Sequence, residues 1–144
     1  MIEQDTVRLL RECDAGVKMG LSAIDEVSPK SKSESMRKQL VEFRAEHDNL
    51  LADVQNELGA YHDSGKNPSP VAKGMSWMKT NVKLAVNTSD KTIAELMNDG
   101  CDMGIDSLER YLLEFPDADE KSKALTRRLI DLERRMKSAM NNYL

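Results

Sequence analysis

The stretch from Met36 to Tyr61, MRKQLVEFRAEHDNLLADVQNELGAY, indicates most clearly which fold the chain adopts. Its apolar side chains recur every three or four residues, which is the spacing of one face of an α-helix. We expect this helix to run from about Pro29 to His62, a length of about 45 Å at ~1.5 Å per residue. Such a length suits a helical bundle better than a compact globule. The apolar stripe consists of Met36, Leu40, Phe43, His47, Leu50, Val54, Leu58 and Tyr61.

Three further segments carry the same helical periodicity. They run from about Asp5 to Val27, from about Ser89 to Glu114, and from Ala118 nearly to the end of the chain. No segment alternates between apolar and polar residues as a half-buried strand would. Because 144 residues suffice for one hydrophobic core, the sequence predicts a single all-α domain spanning residues 1–144.

Short polar sequences indicate where helices begin. Ser28-Pro29 and Ser69-Pro70 each combine a capping side chain with a proline that suits the first helical position. Asp117 is followed three residues later by a glutamate, which predicts a capping box before the last helix. A shorter helix is expected over residues 71–85, between the second and third of the four long segments. The predicted architecture is an antiparallel, ferritin-like four-helix bundle with this extra short helix in the crossover.

Composition limits the function classes. The formal net charge of -4 gives the chain no bias toward nucleic acid. Two cysteines are too few for a disulfide scaffold, and no stretch approaches the ~18 apolar residues of a membrane span. No apolar run near the N-terminus resembles a signal peptide, so a cytoplasmic protein is expected.

Several motifs resemble a known family. The segments Trp77–Val82 (WMKTNV), Glu46–Gly59 (EHDNLLADVQNELG) and Gly104–Asp106 (GID) are similar to parts of a bacterial ferritin-like family that is catalogued as a domain of unknown function. The resemblance covers nearly the whole chain and implies an antiparallel helical bundle, but no established reaction. Where family members tend to carry carboxylates, this chain has Gly16 and Ile105, which argues against an inherited metal site.

A ferritin-type di-iron centre needs two inward glutamates and two Glu-x-x-His pairs. The chain has two histidines, His47 and His62, and the residues three positions before them are Arg44 and Gly59. Glu133 lies beside the apolar stripe of the last helix rather than on it. A di-iron centre is therefore not expected.

His47 is the strongest single candidate for a site, because it lies within an apolar stripe. It is either a lone metal ligand for iron or manganese, helped by Asp14, Cys13 or Cys101, or a structural histidine, which is buried and neutral with one hydrogen-bond partner or extends to the edge of the bundle. The sequence favours the second interpretation. The two cysteines are interpreted as core residues in preference to a redox pair.

Four glycines lie within predicted helices, where each costs about 1 kcal/mol relative to alanine. They form two pairs with the same spacing, Gly16 with Gly20 and Gly100 with Gly104. Either they line a cavity or a close helix–helix contact, or they pack against large neighbours. We favour packing.

The segment around Trp77 holds several lysines and no acidic residue, so it is a candidate partner surface for an acidic protein or a membrane surface. The alternative, that Trp77 covers the bundle while Lys73, Lys79 and Lys83 face water, is favoured. No motif supports nucleophilic catalysis. We therefore expect a non-enzymatic helical bundle without a cofactor that acts through self-association, as a dimer, or through a surface or cavity. The alternative is a small metal-binding or oxidative-stress protein with a reduced site near His47.

Overall fold

The computed structural model describes residues 2–66 and 89–144, and this part of the chain is helical with no strand. The helices are α1 (Ile2–Val27), α2 (Glu34–Ala60), α3 (Asp90–Glu114) and α4 (Glu120–Asn141), with a short 3-10 helix at Ser28–Lys30 between α1 and α2. The predicted all-α class is thus confirmed. The short helix expected over residues 71–85 lies outside the described residues.

The start of α2 differs from the prediction. Ser28-Pro29 begins the short 3-10 helix, and α2 begins only after Ser33, whose hydroxyl accepts the backbone N–H of Met36 at 3.2 Å. The reason is a distant carboxylate: Asp90 accepts the backbone N–H groups of Ser33 and of the preceding residue, both at 2.8 Å. This carboxylate fixes the chain in an extended conformation just before the helix.

Helix α4 likewise begins later than predicted, in this case by two residues. Asp119, not Asp117, is the N-cap, and its carboxylate accepts the N–H of Ser122 at 2.8 Å. The backbone N–H of Asp119 itself donates to Thr6 of α1 at 2.8 Å. This bond to another helix selects the register of the cap. By contrast, α3 begins where its segment was expected to begin, and Ser89 is its N-cap.

The end of α2 has the geometry of a Schellman motif. The N–H of Asp63 donates to the carbonyl of Leu58, and the N–H of His62 donates to the carbonyl of Gly59, both at 3.0 Å. His62 adopts the left-handed conformation, with φ of 56°, so it lies just beyond the helix that it was expected to end.

Buried aliphatic side chains connect the helices. Helix α1 packs on α2, α3 and α4, while α4 also packs on α2 and on α3. The core forms two large clusters, and Phe43 packs against both of them. One cluster includes Ile24, Met36, Leu40, Ile93, Met97, Cys101 and Met136, and the other includes Leu10, Cys13, Val17, Leu50, Val54, Leu108 and Leu129.

Arginines on the exposed surface pair with acids of neighbouring helices. Arg128 binds Asp53 at 2.6 Å, and Arg134 binds Glu109 at 2.7 Å. Glu133 does not belong to this solvated face, because its side chain points into the interior. Among the described residues, no helix combines the length and the apolar character that crossing a membrane requires.

Candidate functional site

The interior contains a polar pair formed by α2 and α4. His47 is fully buried, and its Nε2 lies 3.4 Å from Oε1 of Glu133, which is also buried. On its other side, Nδ1 of His47 lies 2.7 Å from the carbonyl oxygen of Phe43. Because a carbonyl oxygen only accepts, Nδ1 carries a hydrogen and donates it. The ring orientation is thereby fixed within α2 itself, one turn before the histidine.

Glu133 is the residue that the sequence interpretation missed. The apolar residues of α4 alone define a stripe that leaves Glu133 to one side. It nevertheless follows Leu129 by four residues and precedes Met136 by three, and both of these are buried. This spacing puts Glu133 on the inward face of α4. Two features of the sequence point to Glu133 as a buried residue: its spacing from the apolar residues of α4, and the presence of a histidine on the apolar stripe of α2 that needs a polar partner.

Two glycines make room for this pair. A Cβ atom on Gly20 of α1 would lie 2.5 Å from Nε2 of His47 and 3.5 Å from Oε1 of Glu133. A Cβ atom on Gly104 of α3 would lie 3.6 Å from Oε2 of Glu133. The polar pair is therefore enclosed by all four described helices. Only Gly20 is sterically obligatory, since 2.5 Å is below any van der Waals contact.

Of the other two predicted glycines, Gly16 packs against the apolar core. A Cβ atom on Gly16 would lie 3.2 Å from a methyl group of Leu129, a tight apolar contact. Gly100 is partly buried in α3.

Cys101 lies close to the polar pair. Burial, together with the nearby carboxylate of Glu133, raises the pKa of its thiol far above the ordinary value. Cys13 lies in the other core cluster, and burial raises its pKa to about 12. Both cysteines are free and buried. Since the thiolate is the reactive form, neither thiol is activated as a nucleophile.

Asp14 is fully buried, but its partners are those of a loop contact. It accepts from Nζ of Lys18 at 2.7 Å and from the backbone N–H of Lys66 at 3.0 Å. The amide group of Gln55 lies 3.5 Å away. The structure thus places Asp14 with the chain that follows α2, whereas the partners of His47 are Phe43 and Glu133.

The chemistry of the pair depends on which nitrogen and oxygen atoms carry a hydrogen. Since Nδ1 of His47 is committed as a donor, the contact between Nε2 and Glu133 is attractive only when a proton lies on one of the two groups. The pair can share that proton or hold a cation in its place. The residues described here contain no group of three or more histidines, cysteines, aspartates or glutamates arranged to hold a metal ion. The carboxylate set of a di-iron centre is therefore not supplied by these residues.

Trp77, Lys73, Lys79 and Lys83, the predicted partner surface, lie outside the described residues. Comparisons with protein-family models, curated proteins and solved structures found no match to this chain. The resemblance to a ferritin-like family therefore stays a prediction that rests on the sequence motifs.

Proposed function

We propose that the chain is a ferritin-like antiparallel four-helix bundle that acts non-enzymatically, through association with a second copy of itself in the cytoplasm. Pairs of contacts support the antiparallel arrangement. From α1 to α2, Asp25 binds Arg44, whereas Asp14 contacts Gln55. Residue numbers rise along one helix as they fall along the other.

The same relation holds for the other neighbours. Arg135 of α4 binds Glu46 of α2, whereas Arg128 binds Asp53. Between α3 and α4, Glu109 binds Arg134, and Asp102 binds Lys137.

The ends of the helices support the crossover. Asp90, at the start of α3, bonds to the connection between α1 and α2, near the start of α2. Helices α2 and α3 then run in the same direction, so the end of α2 and the start of α3 lie at opposite ends of the bundle. One long connection between two helical hairpins is the ferritin-like plan.

The exposed face of α3 is the observation that carries self-association. Leu113 is 82% exposed and Met103 is 51% exposed, and both lie on the outward side of this helix. Their spacing of ten residues places them about 80° apart at ~100° per residue, on one side of α3. Burying two such side chains against a second copy would make the free energy of association more favourable by about 2–5 kcal/mol. In the interior, His47 and Glu133 are buried and paired with each other, and neither buried thiol is activated, which favours binding over catalysis.

The test is sedimentation velocity across a concentration series up to about 100 μM, where association of ~5.5 kcal/mol is half complete. The wild type should sediment as a dimer, and Met103→Lys with Leu113→Lys should sediment as a monomer with unchanged helicity. Val41→Lys is the matched control, because Val41 is 60% exposed on α2. A wild-type monomer at every concentration would contradict the proposal, as would a dimer that persists in the double variant.

One observation favours a second candidate, a small metal-binding protein of the oxidative-stress class. His47 offers a ring nitrogen and Glu133 a carboxylate oxygen, and these two atoms lie 3.4 Å apart, close enough for both to bind one cation. They could hold one iron or manganese ion, which would supply redox chemistry. Metal analysis of purified protein tests this candidate: stoichiometric metal that is lost in His47→Ala and Glu133→Gln, but kept in Glu46→Gln, would replace the first proposal.

A further inference from the structure

Residues 61–66, which follow α2, form a short segment that lies along α1; we call it the strap. Its direction is set by the left-handed conformation of His62, which turns the chain back from the end of α2. Gly65 then adopts a φ of 90°, a conformation that side-chain-bearing residues rarely take. The strap therefore has a defined path and does not simply trail from the helix.

One buried carboxylate holds this path. Oδ2 of Asp14 accepts the backbone N–H of Lys66 at 3.0 Å, and the Cα atom of Gly65 lies so close that a Cβ atom there would overlap the carboxylate. Lys18, one turn further along α1, balances the charge of Asp14 at 2.7 Å. The strap thus fits against a group that is already fixed on α1.

Two further contacts, both less buried than Asp14, also hold the strap on α1. Arg11 binds Asp63 at 2.7 Å, and Glu12 pairs with Lys66. The carboxylate of Asp63 also accepts the N–H of Gly65 at 2.9 Å, which stiffens the strap internally. Paired charges that are partly exposed contribute little to stability, so Asp14 remains the main attachment.

We propose that the strap is a conformational latch, closed by Asp14, that opens while the helices stay folded. The strap buries little apolar surface. Of its six residues, only Tyr61 packs against a core cluster, and His62 and Ser64 are exposed. A segment with few buried apolar contacts opens at a lower free energy than the core does. Opening releases the start of the connection to α3 from α1 and leaves Asp14 paired with Lys18.

Native-state hydrogen exchange of the wild-type protein tests the latch directly. The amide of Lys66 should exchange at least ~10-fold faster than the amides of Leu50 and Val54, after correction for intrinsic rates. Its exchange should also be nearly independent of low denaturant concentrations, because a local opening exposes little surface. If the Lys66 amide shares both the rate and the denaturant dependence of the α2 amides, the strap opens only with global unfolding and the proposal is wrong.

A variant tests the role of Asp14. Asp14→Asn should accelerate exchange of the Lys66 amide by about 10-fold or more relative to the α2 amides, since an uncharged amide oxygen accepts a weaker hydrogen bond than a carboxylate does. Asp53→Asn is the control, because Asp53 is an exposed acid of α2 paired with Arg128 and distant in sequence from the strap. Equal acceleration of all amides in Asp14→Asn, or none at Lys66, would overturn the role of Asp14. The wild-type measurement decides the latch even if this variant does not fold.

Discussion

Gly20→Ala is the substitution for which the structure gives the clearest expectation. The new Cβ atom would lie 2.5 Å from Nε2 and 2.7 Å from Cδ2 of His47, about 1 Å closer than an ordinary van der Waals contact. The imidazole cannot simply rotate away, because Nδ1 is bonded to the carbonyl of Phe43 at 2.7 Å. Either the ring moves and weakens its bonds, or α1 shifts from α2.

The magnitude combines three effects. Overpacking a dense interior costs about 1–3 kcal/mol, and a weakened buried hydrogen bond costs about 1 kcal/mol more. Replacing a helical glycine by alanine stabilises the helix by about 1 kcal/mol, which offsets part of this cost. We therefore expect a net destabilisation of about 1–3 kcal/mol, measured by urea unfolding followed by circular dichroism.

Gly59→Ala is the matched control, because nothing lies within 4 Å of a Cβ atom on Gly59 in the last turn of α2. It should be neutral or stabilising by up to ~1 kcal/mol. In a double-mutant cycle, Gly20→Ala should lose its cost, and even stabilise the protein, in a His47→Ala background where the clashing ring is absent. If Gly20→Ala behaves like Gly59→Ala, the enclosure of His47 described above is wrong.

Three further predictions concern other parts of the chain. His62→Gly should stabilise the protein by about 1 kcal/mol in urea unfolding, since glycine adopts the left-handed conformation without steric cost; a loss of stability would contradict this. Burial raises the pKa of Cys13 from 9.0 to about 12, so the protonated thiol stabilises the fold fully below pH 9, and this stabilisation is lost as the pH rises toward 12, by about 1.4 kcal/mol per pH unit. The slope of unfolding free energy against pH above 9 should therefore be shallower in Cys13→Ala, and an unchanged slope would count against the assignment. The bond from Arg11 lowers the pKa of Asp63 below 3.8, so its contribution is present above that pH and disappears as the pH falls through the lowered pKa; Asp63→Asn should reduce the loss of stability in acid, measured by thermal unfolding between pH 5 and 2.

The helices could be predicted because each long segment buries one aliphatic face, and that requirement appears directly in the residue spacing. Leu40, Leu50 and Leu129 lie on predicted stripes, and all three are fully buried. This information is local, since the spacing along a single segment is sufficient to read it.

The helix starts and the partner of His47 were not predictable in the same way. The start of α2 is fixed by Asp90, which is 57 positions away from Ser33 in the sequence. The N-cap of α4 is fixed by Thr6, which is 113 positions away from Asp119. Glu133 meets His47 across 86 positions. Such contacts depend on how the helices are arranged, which local spacing does not report.

These buried and half-buried polar contacts determine how the helices align. An aliphatic stripe tolerates a slip of one helical turn, about 5.4 Å, because one leucine can replace another against the facing helix. The same slip between α2 and α4 would separate His47 from Glu133 and leave each facing apolar side chains. An unpaired buried polar group costs about 1–3 kcal/mol, and an unpaired buried charge costs more. Because the total stability of a domain is only about 5–15 kcal/mol, one such penalty is enough to select a single register. The apolar stripes therefore account for the formation of the helices, whereas the histidine–glutamate pair accounts for the level at which α2 and α4 meet.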